Sequence, residues 1–113
     1  MMRIITDSIS WGELHNIAEQ LFGDLVKAVV DIEKGIMAIG GELHADEEAL
    51  LLQEGSRQEN VWGINLYPEK SGAERIEFNS MINIRPSQGN RSRGIENVEI
   101  QEKISAIVHR LII

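Results

Sequence analysis

Between Phe78 and Ile95 the chain has no aspartate or glutamate, yet it carries Arg85, Arg91 and Arg93. Guanidinium groups present rigid forks of N–H donors that match carboxylate and phosphate oxygens. The residues between them, Ser87, Gln88, Gly89 and Asn90, add small polar side chains and a backbone able to turn its amides toward an anion. The chemistry to expect from RPSQGNRSRG is therefore the binding of a phosphate- or carboxylate-bearing small ligand by Arg85, Ser87, Gln88, Asn90, Arg91 and Arg93. The stretch is not a Walker loop, since no Gly-Lys-Ser/Thr follows, and it lacks the GxGxxG of a dinucleotide fingerprint.

A second group of chemically able residues lies in GGELHADEEALLLQEGS. His44 and Asp46 are candidate ligands for a divalent cation, and together with Glu47 they are candidates for acid–base work. The same acids have a plain structural account, because carboxylates at a helix start are favoured by unpaired amides and by the macrodipole. Metal-assisted phosphoester chemistry would require these three residues to face the arginines across one cleft. His15 and His109 have no neighbouring set of ligands. No nucleophile elbow, Cys/His pair or HExxH is present, so no reaction and no cofactor is specified.

The net charge of −7 weighs against nucleic acid or anionic lipid as a partner. An RNA-binding reading would need the arginines on phosphates and Tyr67 or Trp62 stacked on a base. Zero cysteines exclude disulfides and fit a reducing cytoplasm. No apolar run approaches the ~20 residues of a membrane span, and the N-terminus does not read as a signal peptide. The expectation is a cytoplasmic protein.

These residues must be held by a single domain, since 113 residues close one core. With 42 % hydrophobic and only 4 % aromatic residues, that core is aliphatic. Met1 to Ile5 reads as a short strand. Ser10-Trp11-Gly12-Glu13 reads as a capping box with Ile9 and Leu14 as a hydrophobic staple, which starts a helix over 11–22 ended by Gly23. Residues 24–41 read as a hairpin turning at Lys34-Gly35, with Ile32 opposite Met37 and Val30 opposite Ile39. That register puts Val26, Ala28, Val30, Ile32, Met37 and Ile39 on the core face and Lys27, Asp31 and Glu33 on the other. Val29, Ile36 and Ala38 then form an apolar outer patch, which makes a homo-oligomer, a protein-interaction homodimer above all, the expected partner state.

A short helix follows over 46–54, ending at Gly55. VWGINLYP and RIEFNSMINIRP alternate as the strands of a second hairpin, with Ile64, Leu66, Ile82 and Ile84 inward. Asn65, Tyr67, Asn83 and Arg85 fall on the opposite face, at the base of the arginine loop, and join the candidate ligand-binding set. Ile100, Ile104, Ile107, Val108, Leu111 and Ile112 recur at helical spacing and predict a last helix over 97–112. The fold class is α+β: a two-layer, mainly antiparallel sheet of at least four strands with the N- and C-terminal helices on one face and a short helix between the hairpins.

MAIGGELHADEEALLLQEGS, VWGINLYP and SMINIRPSQGNRSRG together resemble a family of short bacterial and archaeal proteins described as a domain of unknown function. The resemblance runs over nearly the whole chain. It implies a prokaryotic family and brings no activity, substrate or catalytic residue with it.

Overall fold

A computed structural model describes residues 1–113. Five strands, Arg3–Ile5 (β1), Val26–Asp31 (β2), Ile36–Ile39 (β3), Val61–Leu66 (β4) and Ile76–Glu77 (β5), form one antiparallel sheet in the order β1-β3-β2-β4-β5. Three helices accompany it: Trp11–Leu21 (α1), His44–Gln53 (α2) and Val98–Leu111 (α3). This is the α+β class expected from the sequence, with helices at both ends of the chain and one between the hairpins.

The helix ends follow local chemistry. Ser10 accepts from the Glu13 amide at 3.0 Å, while the Glu13 side chain turns instead to Arg3, 2.7 Å away. Asn97 caps α3 by accepting from the amides of Glu99 and Ile100. Helix α2 ends in a Schellman pattern: Ser56 N–H donates to Leu51 O and Gly55 N–H to Leu52 O, with Gly55 at φ +102°. Its start differs, because the cap position holds Leu43, which offers no side-chain acceptor.

One face of the sheet, built from Val26, Ala28, Val30, Met37, Ile39, Trp62, Ile64 and Leu66, packs on Leu14 and Ala18 of α1 and on Ile104, Val108 and Leu111 of α3. The opposite face carries Val29, Ala38 and Val61 under Leu51 of α2, with Ile36 and Leu50 alongside. The expected outer patch is thus not exposed: Val29 and Ala38 are fully buried, because α2 folds back over the first hairpin and uses its leucines there.

The first hairpin pairs Val30 with Met37, Val29 with Ala38 and Asp31 with Ile36. The connection is two residues longer than the expected two-residue turn, so residues 32–35 form it and the register shifts by two. Asp31 causes the difference. Its Oδ1 accepts from the amides of Glu33 and Lys34, its Oδ2 from the Ser56 hydroxyl, and its carbonyl from Gly35, which takes φ +69°. A shift of two leaves every side chain on its face, so the inside–outside pattern survives, but Asp31 is buried rather than solvated and Ile32 is only half-buried in the turn.

The second hairpin departs further from expectation. Its return strand is limited to Ile76–Glu77, after which the chain runs in short 3-10 turns at Met81–Asn83 and Pro86–Gln88. Side chains take over the pairing that a strand would have made. Asn83 accepts from the Gly63 amide at 2.8 Å and donates to the Gly63 carbonyl at 2.9 Å, and Arg85 donates to the Val61 carbonyl. In consequence Asn83 is buried, Ile82 is half-buried and Ile84 is exposed, whereas Val30, Ile39, Ile64 and Leu66 are fully buried as expected. No helix is long and apolar enough to cross a membrane.

Candidate anion-binding site

The polar residues of the 80–97 segment divide into those that hold the protein together and those that face outward. Arg85 belongs to the first group. Its Nε donates to Ile82 O at 3.0 Å, Nη1 to Gln58 O at 2.7 Å and Nη2 to Val61 O, and the guanidinium lies 4.5 Å over the Trp62 ring. The nearest carboxylate is Glu48, 3.9 Å from Nη2. Asn90 is a second internal hub, donating to the carbonyls of Asn83, Ser92 and Gly94 and accepting from the Glu96 amide. Gln88 donates to Glu59 O. Asn65 and Tyr67 both donate to Glu77. The sequence reading assigned these residues to a ligand; the structure joins Arg85, Asn83, Asn90, Asn65 and Tyr67 to the protein's own acceptors.

The outward group consists of Ser87, Arg91 and Arg93, all exposed. Glu96 accepts from the amides of Arg91 and Ser92, and those two bonds hold its carboxyl below the usual range. Arg93 lies apart from Ser87 and Arg91, because it lines a pocket of about 170 Å³ with Lys27, Ser80, His44 and Leu43. No ion pair engages Lys27 or Arg93. Lys27 is placed by β2, where it pairs with Asn65 of β4 on the sheet face that α2 covers, and its ammonium stands 4.9 Å from the Phe22 ring.

His44 begins α2 and is buried in the wall of this pocket. Its Nε2 lies 2.8 Å from the Ile64 carbonyl, which can only accept, so the proton is on Nε2. Burial, reinforced by the positive charges of Lys27 and Arg93, pushes the ring's pKa down and keeps it neutral, against the opposing pull of the Ile64 carbonyl and the Asn65 side chain. His44 and the arginine segment therefore share a cavity through Arg93, and Arg85 stands outside it.

The other acids of α2 do not join them. Asp46 lies on a different surface with Met2 and Gln53. Glu47 points inward, where its Oε2 accepts from the Gly41 amide at 2.9 Å and its Oε1 has no partner; burial pushes its pKa up to about 9. No group of three or more His, Asp or Glu side chains converges anywhere in a way that could hold a metal ion. The candidate metal and acid–base set of His44, Asp46 and Glu47 is thus dispersed: Asp46 is exposed, and although His44 and Glu47 share the buried face of α2, the ring donates to the Ile64 carbonyl and the carboxyl accepts from the Gly41 amide.

Sequence reasoning missed Lys27 and Ser80. The signal for Lys27 was present in the alternation that put it, like Asn65, on the face away from the main core, but one lysine among solvated charges on a strand carries no mark of convergence. A second cavity, of about 260 Å³, opens between Gln88, Asn90, Glu96 and Asn97 over Trp62, whose indole N–H has no hydrogen-bond partner.

Comparison with known proteins gives a family and nothing beyond it. The sequence pattern of the family described as "Protein of unknown function (DUF5674)" matches residues 3–111, and the chain belongs to that family. No curated protein and no solved structure matches it.

Proposed function

We propose that this member of the DUF5674 family binds a small ligand through an anionic group, a carboxylate or phosphate, in the pocket between the start of α2 and the 80–93 segment. The observation that carries the reading is the meeting of Lys27 and Arg93, neither engaged in an ion pair, at the first turn of a helix without a side-chain cap. Unpaired cations facing one cleft raise the local concentration of anions, and free amides at a helix start add donors of the same sign. The nearby carboxyl of Glu47 does not cancel them, because with a pKa of about 9 it is neutral at ordinary pH.

The test is thermal unfolding with added phosphate or short carboxylates at fixed ionic strength. Anion binding to the folded state should raise the melting temperature, by an amount equivalent to about 2.7 kcal/mol at a hundred times the dissociation constant. The rise should fade with salt and disappear in Lys27→Ala and Arg93→Ala, while Arg91→Ala, outside the pocket, keeps it. An equal loss in Arg91→Ala, or no rise in the wild type, would remove the basis for this site.

A further inference from the structure

We propose that the ligand is a small amphipathic carboxylate, an acid group joined to a short aliphatic body, rather than an inorganic anion or a nucleotide. The proposal rests on the anion-binding reading above and concerns what lies beyond the charged group. Half of the pocket's lining is apolar, and Leu43 and Met81, on opposite chain segments, contribute large side chains that are 56 % and 65 % exposed. Ile82 continues that wall. Exposed leucine and methionine beside two unpaired cations make a site with a charged end and an oily end. Leu43 also occupies a cap position that serine, threonine, aspartate or asparagine fill in most helices. A leucine there gives the helix nothing, and it gives a ligand an apolar contact.

Size and donor count narrow the class. A pocket of about 170 Å³ holds the volume of five or six waters at about 30 Å³ each, which matches a carboxylate with a few carbons and is too small to enclose a nucleotide. A phosphoryl group brings three strong acceptor oxygens, and the apolar wall would leave part of that set unpaired. A carboxylate has two oxygens, which the Arg93 fork and the Lys27 ammonium can satisfy while the carbon chain lies along Leu43 and Met81.

The experiment is calorimetric titration of the full chain with sodium acetate, propionate, butyrate and hexanoate, with phosphate and neutral butyramide as controls, at constant ionic strength. Affinity should rise about fourfold for each methylene that becomes buried and level off once the pocket is full, and butyramide should not bind. Leu43→Ala and Met81→Ala shorten exposed side chains, and alanine caps a helix no better than leucine does, so both should leave the melting curve of the free protein intact. Both should flatten the dependence on chain length while keeping the acetate response, and Arg93→Ala should abolish binding of the whole series. Equal affinity for acetate, hexanoate and phosphate would overturn the proposal and leave the anion site standing. Absence of binding by every anion, or butyramide binding as well as butyrate, would overturn both.

Discussion

Glu47 is a fully buried carboxyl with one oxygen on the Gly41 amide and the other without a partner. Its pKa of about 9 compares with an ordinary value of 4.5. Between these values the unfolded chain has released a proton that the folded chain retains, so stability falls as pH rises across that window, by at most about 1.4 kcal/mol per pH unit. Glu47→Gln keeps an acceptor for Gly41 and carries no charge. Its melting temperature relative to wild type should therefore climb between about pH 5 and about pH 9, and a constant difference would show that the buried carboxyl is not held neutral. The sequence presents Asp46, Glu47 and Glu48 alike, as acids at a helix start. They end in three environments, exposed, buried and half-buried beside Arg85, because α2 lies flat on the sheet and only its orientation decides which acid goes under. His44 and Arg93 could be singled out from their types alone. Arg85 could be too, but nothing in an arginine codon says whether its fork serves a ligand or a carbonyl.

At the scale of elements, α1 and α3 were legible because caps and apolar spacing agree, and the first hairpin kept its faces even though Asp31 reset the turn. RIEFNSMINIRP was misread for a physical reason: alternation put Ile82 and Ile84 inward and Asn83 and Arg85 outward, but the chain leaves the strand after Glu77, and its 3-10 turns bury Asn83 and Arg85 as substitutes for a strand while Ile84 is exposed. Gly63 makes this possible. A Cβ at that position would stand 2.5 Å from the Ser80 Cβ and 2.6 Å from its hydroxyl, so only a glycine lets the 80–83 turn close on β4. Gly63→Ala should cost about 1–3 kcal/mol in denaturant unfolding through crowding. Asn83→Ala, which strands the Gly63 amide and carbonyl, should cost about 1–3 kcal/mol for each group left unpaired. An unchanged midpoint in either variant would mean that the turn does not depend on this contact.

For the whole molecule, the class and the aliphatic interior followed from composition and periodicity, whereas the burial of both sheet faces, with a second small apolar cluster under α2, did not. A helix as polar as HADEEALLLQ gives little sign of the leucines it will lay over Val29 and Ala38. The manner in which β4 is completed reaches beyond stability. β4 is a six-residue strand with only two residues paired to β5, and a strand left open offers main-chain donors and acceptors on which a second molecule can add. Asn83 and Arg85 fill those positions with groups that no incoming backbone can match, so they act as a stopper against intermolecular β-addition. Arg85→Met, which keeps the length of the side chain and removes its donors, should become turbid and bind an amyloid dye on mild heating while wild type stays clear. Solubility in this protein then depends on two side chains whose sequence signature is that of a binding site.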